Sequence, residues 1–179
     1  MDHGVWPLIT TNLYINQTSD LDILFRQAPY FRNHELCRGK VIDTAWSASY
    51  GKSLKDKSGK VYRGSVLEHL LIENLVPFFN VGAHNNIRLE NADWNDGLDM
   101  AYEKGESVAF TAMYAANLNT LAELITKTRR KSVSVLKELR ILIDTAGNDT
   151  IDYSSVKVKN STLQKYFSAV KFKVSGEKI

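Results

Sequence analysis

Residues 91–107 read NADWNDGLDMAYEKGES, which sets Asp93, Asp96 and Asp99 around Trp94 and Asn95 and ends in Glu106-Ser107. Three kinds of chemistry suit such a set: carboxylates holding a metal, acids capping a helix, or a sugar stacked on the tryptophan while one carboxyl gives up a proton. Calcium fails on register. Asp93-x-Asn95 opens like a calcium loop, but Gly97 falls one position before the place where that loop needs glycine. Lys104 stands where the closing bidentate carboxylate belongs, so no metal is expected. Acids ahead of a helix meet the positive end of its dipole, and Glu106-Ser107 suits the start of one. Capping and turn formation account for the acids as well as a functional role does, but they leave Trp94 unexplained. A large aromatic between Asp93 and Asp96 in a loop is what a sugar site uses, with the ring on a pyranose face and the carboxylates on hydroxyls. One carboxyl of such a set can serve as general acid once burial raises its pKa.

The elements that must position this loop read as helices. Val5, Trp6, Leu8, Ile9, Leu13 and Ile15 suit a buried helix, and Ser19-Asp20 caps a short one over Leu21 to Gln27. Residues 33–64 are polar and broken by Gly39, Gly51 and Gly59, and predict a long surface loop or a small excursion. Ser65 caps a helix whose apolar face runs through Val66, Leu67, Leu70, Leu71 and Leu75 and stops before Pro77. An alanine-rich helix is expected from Glu106 to Lys127, another over Ser132–Asp144 and a last over Asn160–Val174. With no strand pairing evident, the expected class is all-α, built of helical hairpins in one domain.

Composition excludes several functions. The 179 residues are 44% hydrophobic and 24% charged, the profile of a globular domain. A formal charge of +3 without a concentrated patch gives no case for nucleic acid, and Lys127-Thr128-Arg129-Arg130-Lys131 reads as a solvated helix junction. Cys37 is the sole cysteine, which rules out an internal disulfide and fits a reducing, cytoplasmic setting. No apolar run reaches membrane-spanning length. His3, His34, His69 and His84 show no metal-pair spacing. Tyr153, Tyr166 and Phe167 are expected in the core, with Trp6 and Trp46 as packing residues.

Asp93-Trp94-Asn95-Asp96-Gly97 followed by Gly105-Glu106-Ser107-Val108 resembles the catalytic-loop pattern of the inverting glycoside phosphorylases of glycoside hydrolase family 94, the cellobiose and chitobiose phosphorylases, and their β-1,3-glucan relatives. His84-Asn85-Asn86-Ile87-Arg88-Leu89-Glu90, Asp96 through Met100, Asp2 through Pro7 and Val174 through Lys178 look closest to the β-1,3-glucan relatives.

The resemblance implies a six-hairpin (α/α)6 toroid, here a partial one, with residues 1–179 as a fragment of the catalytic barrel domain. It implies Asp96 as general acid, with Trp94 lining the subsite where the bond breaks. Asp93 and Asn95 would shape the loop or bond hydroxyls, with Glu106 close behind. The implied reaction converts a β-glucan or cellobiose-type oligosaccharide and inorganic phosphate into an α-sugar 1-phosphate. Phosphate is a co-substrate and no further cofactor is expected. A phosphorylase needs only the acid, whereas an inverting hydrolase also needs a base to activate water. The family's N-terminal β-sandwich and the remaining barrel are absent from the sequence. About six helices against the toroid's twelve would leave apolar faces open and favour self-association. The alternatives are a non-catalytic helical remnant, a carbohydrate-binding module through Trp94, or an inverting hydrolase.

Overall fold

The computed structural model describes residues 3–32, 37–38, 41–42, 44, 46–90, 101, 104–144 and 151–179. Its described residues form four α-helices: α1 (Val5–Thr18), α2 (Val66–Phe79), α3 (Val108–Lys127) and α4 (Val156–Val170). Serine begins three of them. Ser65 Oγ accepts from Glu68 N at 3.1 Å, Ser107 Oγ from Phe110 N at 3.1 Å and Ser155 Oγ from Val158 N at 3.3 Å, each satisfying an N–H that the first turn leaves bare. α1 closes instead at Ser19, whose left-handed backbone (φ 60°) lets its N–H reach Ile15 O at 2.7 Å.

The expected all-α partial (α/α)6 toroid is not what forms. The described residues also contain three two-stranded antiparallel sheets, making the fold mixed α/β. β1 (Gln27–Pro29) pairs with β4 (Arg63–Ser65), β2 (Cys37–Arg38) with β3 (Val41–Ile42), and β5 (Ile87–Arg88) with β6 (Glu106–Ser107). Strands of two or three residues are too short to show the alternation that betrays a strand, and β1 and β5 find partners far along the chain. The helix expected over Ser132–Asp144 shrinks to a 3₁₀ turn at Lys137–Ile141. The residues before it are extended because Val135 exchanges backbone hydrogen bonds with Ile179 (3.0 and 2.9 Å), a partner that local periodicity cannot reveal. Part of the expected surface loop is likewise ordered: Leu54 and Tyr62 are buried, and Leu54 N bonds Tyr30 O at 2.8 Å.

α2 is the central element and packs against α1, α3 and α4. One face joins Leu67 and Leu70 to Leu8, Ile15, Leu121 and Leu124, while Phe79 joins Leu136, Leu139, Leu163 and Tyr166 on the other side. A helix that buries two faces cannot be strongly amphipathic, and its mostly apolar sequence reflects that. Buried amides cross the first interface: Asn117 Nδ2 donates to Asn74 Oδ1 (2.9 Å) and Val5 O (3.3 Å), and Asn74 Nδ2 donates to Leu70 O (2.8 Å). Three helices are thereby held in register by paired polar groups.

α2 runs through Pro77 to Phe79 rather than stopping before it. Proline lacks the N–H that would bond the Glu73 carbonyl four residues back. Gly4, at the start of α1, packs onto that carbonyl so closely that a β-carbon would lie 2.2 Å from the oxygen. Tyr166 is buried as expected, but Tyr153 is exposed rather than core, and Trp6 is half exposed. No helix among the described residues is long and apolar enough to cross a membrane.

Candidate functional site

Asp93, Trp94, Asn95 and Asp96 lie outside the described residues; Glu106, the fifth candidate, is described. What the structure gives of this stretch is its base. β5 leads into the segment and β6 leads out, with Arg88 opposite Glu106 and Ile87 opposite Ser107. The pairing extends inward through Leu89 N to Gly105 O at 3.0 Å, and Gly105 N turns back to Ala101 O at 2.7 Å. Thr111, in the first turn of α3, bridges the clasp: its hydroxyl donates to Ser107 O (2.7 Å) and accepts from Ile87 N (2.9 Å). The loop that carries DWNDG is therefore tied at both ends to α3.

Glu106 does not cap α3, which is the role of Ser107. Its carboxylate turns to the Gly82–Asn86 turn and accepts from His84 N (3.1 and 3.2 Å), His84 Nδ1 (3.0 Å) and Asn86 N (3.0 Å). Partial burial opposes its ionisation, but the hydrogen bonds from His84 and Asn86 outweigh this and hold the carboxyl below its ordinary range. α4 also holds this turn. Asn160 Nδ2 donates to Val81 O at 3.1 Å, and Lys159 Nζ donates to Asn85 Oδ1 at 3.1 Å. Lys159 is buried with its amine over the Phe78 ring, and burial pushes its pKa down to about 8.

Beside this clasp lies a cavity of about 680 Å³, bounded by the start of α1, the C-terminal half of α2, β5 and α4. Such a volume is usual for a small-molecule site. Tyr30, Tyr62, Tyr114 and Tyr166 contribute to its walls, and Glu73, Asn80, Arg88 and Glu90 give it polar groups. Asn80 Nδ2 donates to Glu90 Oε2 at 3.1 Å, and the Arg88 guanidinium bonds Val81 O (2.9 Å) and stands 3.9 Å from Glu90 Oε1. Glu90, on the cavity wall, directly precedes residues 91–100.

Glu73 was not among the sequence candidates. The signal was available, because an acid between Leu70 and Val76 falls among the apolar positions of α2. No hydrogen-bond partner among the described residues meets its carboxyl, and burial alone raises its pKa.

A second carboxylate, Glu68, is fully buried and serves the walls. It accepts from Tyr30 Oη (2.8 Å), Tyr62 Oη (3.0 Å to each oxygen) and Leu136 N (2.9 Å). Tyr30 also stacks on His69, with ring centroids 3.7 Å apart, so His69 is a packing residue. Burial and the neighbouring carboxylate push both tyrosine hydroxyls above their ordinary pKa. Among the described residues no group of three or more His, Cys, Asp or Glu side chains could hold a metal ion. No protein-family model matches the sequence, and no curated protein is similar to it.

Proposed function

We propose that this chain carries the general-acid loop of an inverting glycoside phosphorylase acting on β-glucan or cellobiose-type oligosaccharides. Asp96 protonates the leaving glycosidic oxygen as the C1–O bond breaks, and phosphate attacks C1 from the opposite face to give an α-sugar 1-phosphate. Trp94 stacks on the sugar at the point of cleavage, and Asp93 and Asn95 shape the loop or bond its hydroxyls. Only one carboxyl has to move a proton, because phosphate is already a nucleophile and needs no base.

The observation that carries the reading is the pairing of Arg88 with Glu106. Of the two sequence elements that resemble the phosphorylases, DWNDG falls in the chain between β5 and β6 and GESV runs through β6 into α3, and Glu90, just before that segment, lines a cavity of small-molecule size. In this reading Glu106 is a positioning residue that holds the loop base through His84 and Asn86.

The test is to incubate the chain with laminari- or cello-oligosaccharides and phosphate and to follow products by chromatography. Phosphate-dependent sugar 1-phosphate is expected. Free sugar released equally well without phosphate would replace the reading with hydrolysis, and no product from folded protein would end it.

A further inference from the structure

We infer that the cavity between α1, α2, β5 and α4 is a glycosyl-binding subsite in which the Glu73 carboxyl bonds a ring hydroxyl. The inference rests on the carbohydrate reading above and extends it to a residue outside the DWNDG loop.

Three features select the ligand. The walls are mainly apolar and include tyrosines, which suits the C–H face of a pyranose. The polar groups are few and face the same space: Glu73 from α2, Asn80 just after it, and Arg88 and Glu90 from the β5 strand and the residues after it. Finally, the half-buried Glu73 carboxyl lines the cavity and has no hydrogen-bond partner among the described residues, so it is open to a ligand there. An anionic ligand would meet two carboxyl groups, with the Arg88 cation already shared with Glu90 and Val81 O. A wholly apolar ligand would seal Glu73 from water with nothing to bond. A neutral ring with hydroxyls on its rim satisfies both conditions.

Glu73 is also held in place by the backbone. Its carbonyl, freed by Pro77, is the point on which Gly4 packs, so this turn of α2 is fixed against the start of α1. Burial raises the carboxyl's pKa, which extends the pH range in which it can donate as well as accept. Both modes suit a hydroxyl.

The experiment is calorimetric titration of the full chain with laminari- and cello-oligosaccharides in the absence of phosphate, with the melting temperature of each variant measured in parallel. Glu73→Gln, which keeps a donor and an acceptor, should bind within about threefold of wild type, and Glu73→Leu should weaken binding by about tenfold or more. The Leu variant should melt no lower than wild type, because it replaces an unpartnered carboxyl on an apolar wall. A purely structural role for Glu73 cannot produce that split. Unchanged affinity in Glu73→Leu would overturn the subsite, as would wild type that forms sugar 1-phosphate but binds no saccharide detectably without phosphate. If saccharide binds and Glu73→Leu abolishes it while no sugar 1-phosphate ever forms, the subsite stands and phosphorolysis falls.

Discussion

Gly82 and Glu106 are packed without room for a β-carbon: one built on Gly82 would lie 2.4 Å from the carboxyl carbon of Glu106. The Glu106 carboxylate could move aside only by giving up its bonds to His84 and Asn86. Gly82→Ala should therefore destabilise the chain by about 1–3 kcal/mol, read from denaturant unfolding. The damage should concentrate at the loop base, with faster amide exchange at Asn86 and Leu89 than at α1.

The same carboxylate sets an acid limit. Its folded pKa lies below the ordinary 4.5, so its contribution to stability is complete above that value and is lost as pH falls through the folded pKa. Glu106→Gln should lower stability at neutral pH and flatten its fall below about pH 4.5. Thermal melts of both proteins from pH 3 to 7 check this, and parallel curves would contradict it.

Lys159 acts at the opposite end of the scale. Its amine titrates near 8 in the folded chain against 10.5 in an exposed lysine, so folding disfavours the charged form. Stability should fall as pH drops from about 10.5 to 8 and level off below, because only the unfolded chain takes up the proton in that window. Lys159→Met should remove that slope. A melting series from pH 7 to 10.5 measures it.

Glu68 holds three elements at one point. Glu68→Ala strands the hydroxyls of Tyr30 and Tyr62 and the N–H of Leu136 in the interior, at a cost of about 3–5 kcal/mol. Glu68→Gln keeps an acceptor and should cost less. Urea midpoints of the two variants give the comparison.

The parts of this fold that are written locally were legible in the sequence. Ser65 and Ser107 stand before strong helical patterns and cap them, because a cap and its helix are neighbours in the chain. Pairings between distant residues were not legible. Gln27 meets Ser65, and Val135 meets Ile179, through backbone groups that every residue type carries. That is why the all-α expectation missed the sheets. Glu106 stood out in the sequence as an acid ahead of a helix, but its partners His84 and Asn86 became visible only with the turn folded. The cavity needs four separate elements and leaves one sequence trace, the acid at Glu73 within an apolar helix face. The reading of DWNDG rests on its resemblance alone, because residues 93–97 lie outside the described residues.

The most direct measurement is phosphorus NMR of sugar 1-phosphate formed from laminari- or cello-oligosaccharide by wild type and by Asp96→Asn, at equal concentration and with both shown to be folded. General-acid catalysis by Asp96 predicts an α-configured product from wild type and a rate at least about a hundredfold lower in the variant. Equal rates in the two proteins would contradict the account.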